Sequence, residues 1–96
     1  MVLHTLSCSP ESGAFADCLR LISPGDALLL MGDGVYCGLA ATVPYEALHN
    51  CGAALYVLET DAMAAGVLER IGDITVIDFE EFVGLSEEFP RQLAWY

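Results

Sequence analysis

The chain contains no lysine, and its only cations are Arg20, Arg70 and Arg91 against fourteen Asp and Glu, a net charge of −11. Nucleic-acid affinity comes largely from neutralising phosphates with Lys and Arg. Three scattered arginines build no basic groove, so direct RNA or DNA binding by this chain is disfavoured. Attraction to an anionic membrane is opposed by the same charge. No apolar run approaches the ~20 residues of a membrane-spanning helix. The start, Met1-Val2-Leu3-His4-Thr5-Leu6, lacks the basic residues and long apolar segment of a signal peptide. A cytoplasmic location is therefore expected, where thiols stay reduced.

Closely spaced metal-ligand pairs are also missing. The four cysteines, Cys8, Cys18, Cys37 and Cys51, form no C-x-x-C, and neither His4 nor His49 completes a zinc set by spacing. No metal is expected. The glycine-containing turn Gly32-Asp33-Gly34 matches neither G-x-G-x-x-G nor a lysine-bearing phosphate loop. No cofactor is expected.

Apolar side chains, by contrast, are abundant. They make up 55% of the residues, and charged residues only 18%, against ~25% in an ordinary soluble domain. Ninety-six residues suffice for one domain with one sheet and helices packed on it. A domain of this size cannot hide so much apolar side chain in its own core. Part of it is expected on the surface, as a contact for other protein chains.

The chain reads as alternating strand and helix. Strands are predicted over 2–6, 27–31, 53–58 and 74–77, and helices over 12–22, 45–51, 61–65 and 79–86. The first helix places Phe15, Cys18, Leu19 and Ile22 on one face. Ser23-Pro24-Gly25-Asp26 is a turn. Ala27-Leu28-Leu29-Leu30-Met31 is a continuous apolar run, as a strand covered on both faces requires. Residues 34–38 form a short helical turn. Thr60 is a plausible cap for the third helix, closed by Gly66. Asp78 with Glu81 forms a capping-box-like start for the last helix. The tail Leu93-Ala94-Trp95-Tyr96 is left without an element. The expected fold is therefore α/β: a parallel sheet of about four strands with helices on both faces.

Ligands of such sheets bind beyond the carboxyl ends of the strands. Three segments fall there. Cys8, in Ser7-Cys8-Ser9-Pro10, is a candidate sulfur carrier if its thiol lies near a helix N-terminus. An inert loop cysteine is the simpler reading. Gly32-Asp33-Gly34 offers backbone N–H groups, but Asp33 opposes an anion, and nearby Cys37 is a further candidate thiol. Asp78, Glu80 and Glu81 are explained by capping and the helix dipole rather than by acid–base chemistry. Cys18 lies on the apolar stripe of the first helix, where a thiol behaves as a small buried hydrophobe. His4, within a strand, reads as a core or interface histidine.

Taken in order, these segments resemble the DsrH/TusB family of the DsrE/DsrF/DsrH sulfur-relay group. The matching pieces are Leu3-His4-Thr5-Leu6 with Ser9-Pro10, Gly25-Asp26-Ala27-Leu28-Leu29-Leu30 and Asp33-Gly34-Val35-Tyr36. They continue with Leu55-Tyr56-Val57-Leu58, Asp61 with Gly66, Val76-Ile77-Asp78-Phe79 with Phe82-Val83, and Gln92-x-Ala94-Trp95. No single piece is specific; their order and spacing are, and they cover nearly the whole chain. The resemblance implies a DsrE-like, flavodoxin-like sandwich. It implies an accessory subunit that assembles with TusC-like and TusD-like subunits into a heterohexamer containing two copies of each; expressed alone, the chain is expected to self-associate or be poorly soluble. Such complexes pass persulfide sulfur toward 2-thiouridine at the tRNA wobble position, with the principal accepting cysteine on the TusD/DsrE subunit. Two alternatives accompany it: a DsrH-type subunit of a DsrE–DsrF–DsrH complex in sulfur oxidation, and a subunit that itself carries persulfide on Cys18, Cys8 or Cys37. Cys18 falls at a first-helix position where some DsrH members carry a cysteine. One departure stands out: Ala64-Ala65-Gly66 replaces the family's frequent Ala-Arg-Gly.

Overall fold

The structure, a computed structural model, describes residues 1–96. Five strands form one wholly parallel sheet: β1 (Leu3–Leu6), β2 (Ala27–Leu30), β3 (Ala54–Leu58), β4 (Thr75–Ile77) and β5 (Gln92–Trp95). Their spatial order is β4-β3-β2-β1-β5. The helices are α1 (Gly13–Leu21), α2 (Val43–His49), α3 (Glu59–Ala64) and α4 (Phe79–Glu88), with 3-10 segments at Gly32–Gly38 and Leu68–Arg70.

Handedness decides where the helices go. From β1 to β4 the chain steps in one direction across the sheet, so right-handed crossovers place α1, α2 and α3 on one face. The return from β4 to β5 runs the opposite way and places α4 alone on the other. The core divides accordingly. Leu6, Leu28, Leu30 and Val57 pack with Phe15, Cys18, Val35, Cys37, Leu48 and Ala62 on the first face. Leu3, Ala27, Leu29, Leu58 and Ile77 pack with Leu85, Phe82 and Phe89 on the second. All four residues of β2 are buried, as the unbroken apolar run requires.

Local chemistry accounts for most element ends. The Ser12 hydroxyl caps α1 and that of Thr42 caps α2, with Pro44 in the first turn. Asp78 and Glu81 form a reciprocal capping box at α4. Thr60 is not a cap: α3 starts at Glu59, immediately after β3, and has no side-chain cap at all. The largest correction concerns the tail, which forms a fifth strand in register with β1, Leu3 beside Gln92 and Leu6 beside Trp95. Four residues after a proline carry too weak a periodicity to show this. They become a strand because the open edge of β1 supplies their hydrogen-bond partners.

The surface holds part of the apolar excess. Leu21, Val43, Met63, Phe79, Val83 and Leu93 are among the exposed large hydrophobic residues.

Candidate functional site

The parallel strands bring the segments after β1 and β2, which carry the candidate thiols Cys8 and Cys37, to one end of the sheet, while the third candidate, Cys18, lies on α1. The fold turns all three inward. Cys18 is on the sheet-facing side of α1 and is 1% exposed. Cys37 follows β2 in the first 3-10 segment and is wholly buried. Its thiol donates to the Cys8 carbonyl at 3.8 Å, a weak contact that joins the two loops. Cys8 is also buried, and Cys51, just beyond α2, is half-buried.

Their electrostatics follow from this placement. Burial disfavours a thiolate, and neighbouring Cys8 and Cys51 add to the effect, so the Cys18 thiol is pushed up to about 12. Burial does the same for Cys37, with Cys8, Glu11 and Cys18 contributing, again to about 12. The α1 N-terminus is capped by Ser12, whose hydroxyl accepts from the Ala14 N–H at 3.2 Å. None of the four surface depressions is lined by a cysteine.

The glycine turn after β2 is closed to anions. The Gly32 N–H, the donor a phosphate would need, points to the Asp61 carboxylate at 2.7 Å. Asp33, Asp61 and Tyr36 line the adjoining depression together with Ala64 and Ala65. The family's frequent arginine would stand in this stretch. With alanine there, the depression has carboxylates and no balancing cation. Gly34 is fixed by close packing: a Cβ there would fall on the Leu6 carbonyl at the end of β1. A second hollow of about 480 Å³ lies between Ser9-Pro10-Glu11 and Tyr36, Leu39, Thr42 and Pro44, and it too lacks a cation.

The most elaborate polar arrangement lies at the opposite end of β1, and the sequence reading missed it. Trp95 Nε1 donates to His4 Nδ1 at 3.0 Å, and His4 Nε2 is 3.1 Å from Asp26 Oδ2. An indole N–H can only donate, so Nδ1 is the bare acceptor and the proton sits on Nε2, directed at Asp26. Asp26 also accepts from the Val2 and Ser23 N–H groups, at 2.9 and 3.0 Å. Burial pushes its carboxyl up, but the Ser23 N–H, His4 and the Val2 N–H outweigh this and hold it below the ordinary value. No buried polar side-chain atom is left unpartnered. The available signal was a histidine in a strand that the apolar pattern buries, since such a side chain requires partners. The turn Asp and the terminal Trp gave no local sign of being those partners.

A small, wholly parallel sheet with three helices on one face and one on the other defines an open α/β fold. The family model described as "DsrH like protein" matches residues 8–92, and the chain belongs to the DsrH/TusB family. It is 43% identical over 95 residues to Protein TusB of Pectobacterium carotovorum subsp. carotovorum, covering 98% of this chain and 100% of that one. It is 42% identical over the same span to Protein TusB of Escherichia coli strain K12. Among solved structures, the ychN protein of E. coli superposes with a TM-score of 0.72 at 16% identity, covering 98% of this chain and 97% of that one. Protein Tm0979 from Thermotoga maritima gives 0.70 at 22%, covering 92% and 93%. These two likenesses establish the shared fold.

Proposed function

We propose that this chain is an accessory subunit of a cytoplasmic TusBCD-type sulfur relay serving 2-thiouridine formation at the tRNA wobble position. In this reading it assembles with TusC-like and TusD-like subunits, two copies of each, and the sulfur passes over a partner's cysteine. Similarity to two TusB proteins along nearly the whole chain favours the tRNA pathway over sulfur oxidation. The exposed apolar residues suit a chain that buries surface against partners.

One observation carries the accessory role: the family-position thiol, Cys18, is sealed in the core and pushed up to about 12. Taking up a sulfane sulfur requires a thiolate. Burial therefore keeps this group as the thiol at neutral pH. Cys37 is in the same position. Co-expression with TusC-like and TusD-like subunits should give one stable complex. Incubating that complex with a persulfide donor should add sulfur to a partner and leave all four cysteines here unmodified, as read by intact mass. A persulfide on Cys18, Cys8 or Cys37 would refute the accessory role; failure to join either partner would refute the complex.

A further inference from the structure

His4 is an ionisable side chain inside an apolar core, and the sulfur-relay reading gives it no task. It is 1% exposed, with Asp26 Oδ2 3.1 Å from its Nε2 and the Trp95 indole N–H donating to its Nδ1 at 3.0 Å. This arrangement has room for one proton on the ring. An indole nitrogen donates and never accepts. A second proton, on Nδ1, would set two donors against each other at the Trp95 contact.

The two partners of the ring are not equally held. Asp26 is fixed by the Val2 and Ser23 N–H groups, neither of which depends on β5. Its carboxyl is held below the ordinary value, so it stays ionised in mild acid and attracts an imidazolium. Trp95 sits on the four-residue edge strand β5, which pairs with β1 alone and exposes its first three residues. Beyond that ladder, the Gln92 amide donates to the Ser86 and Phe89 carbonyls and the Ser7 hydroxyl to the Trp95 carbonyl. An exposed edge with so few ties belongs to the low-stability end of a fold.

Asp26 is the only ionisable group bonded to the ring. β5 carries no charge, and Arg91 before it and Tyr96 after it are exposed. On α1, Asp17 and Arg20 are exposed and paired with each other, and the inward group, Cys18, is pushed up to about 12 by burial. On the other flank of β1, β2 has no ionisable side chain.

We propose that His4 is an acid-sensitive latch on β5: a proton taken up at Nδ1 breaks the Trp95 bond and lets the last strand leave the sheet, while Asp26 keeps the imidazolium on β1. With β5 attached, Nδ1 is blocked and the ring carries one proton; with β5 released it carries two. Lower pH therefore favours release. The charge of an imidazole ordinarily changes between about pH 5 and pH 8, where Asp26 is still ionised. On release the Leu3 and Ser7 N–H groups, now satisfied by the Arg91 and Trp95 carbonyls, pass to water. The latch is independent of the relay assignment.

The test is an NMR titration of the isolated full chain from about pH 8 to about pH 5, following the His4 ring, the single indole N–H and backbone amide exchange. After allowance for intrinsic exchange rates, the residue 92–95 amides should lose protection by roughly tenfold or more. That loss should track the His4 ring and the indole N–H, while β2 and β3 amides keep their protection. His49→Asn, which removes the only other histidine, should leave this response unchanged. In Trp95→Phe, β5 should already be loosened at the upper end of the range and its protection should no longer follow pH. Should that variant fail to fold, the wild-type titration decides alone. β5 protection that stays flat while His4 titrates would overturn the proposal. So would a His4 ring that stays neutral throughout, a loss shared equally by all strands, or a response abolished by His49→Asn.

Discussion

Trp95 and His4, ninety-one positions apart in sequence, are joined by an N–H···N hydrogen bond of 3.0 Å, with their ring planes 20° apart. The bond ties the last strand to the first, and through Asp26 it reaches the turn that starts β2. One polar chain thus fastens three neighbouring strands inside an otherwise apolar core.

Trp95→Phe preserves ring packing but removes the donor. His4 Nδ1 is then left as a buried acceptor without a partner, a cost of about 1–3 kcal/mol. Urea denaturation should show a lower midpoint with an unchanged slope. The β5 amides should exchange faster with solvent, because this strand depends most directly on the bond.

Asp26 ties stability to pH. Its folded pKa is depressed, so its contribution is full above the unfolded carboxyl value of about 4 and is lost as pH falls through the folded value. Wild type should therefore weaken below about pH 4. Asp26→Asn should be less stable at pH 7 and should lack this part of the acid limb. Denaturation midpoints measured from pH 7 down to acid would show both effects, and parallel profiles for the two proteins would contradict the assignment.

The buried thiols predict an order of alkylation. Cys51, the half-buried one, should react first in the native protein. Cys18 and Cys37, buried and pushed up to about 12, should be protected until the chain unfolds. Peptide mapping after timed iodoacetamide treatment reads this order. Cys18→Ser places a hydroxyl in the apolar core and should cost about 1–3 kcal/mol.

Gly34 should tolerate no side chain. An alanine Cβ would fall on the Leu6 carbonyl at the end of β1, where backbone has no room to give. Gly34→Ala should destabilise by several kcal/mol, toward the severe end of single substitutions. Gly84→Ala on α4, where a Cβ meets nothing within 4 Å, is the matched control and should be neutral or slightly stabilising.

Much of the architecture was legible because it rests on short-range chemistry. The apolar run over Ala27–Leu30 marked the central strand, and the Phe15 and Cys18 stripe marked the buried side of α1. Asp78 with Glu81 marked the start of α4. The α3 boundary was misplaced because Thr60 has cap chemistry, yet β3 runs straight into the helix without using it. The thiols were legible in type but only partly in state. Stripe position identified Cys18 as core. Cys8 and Cys37 sit in loops, and their burial arises from the two loops packing on each other.

The sequence by itself determined the parallel α/β class, the family, and the acidic, lysine-free surface, since periodicity, cap residues and charge are properties of neighbouring positions. Only the tertiary structure decided that the tail is a strand, that α4 alone covers one face, and that His4 lies between Asp26 and Trp95. Each of those depends on which distant segment comes to lie alongside. An open edge at β1 supplies hydrogen-bond partners to residues 92–95, and crossover handedness sends α4 to the far face. A buried imidazole, once enclosed, is held by the one donor and the one acceptor that the fold brings to it.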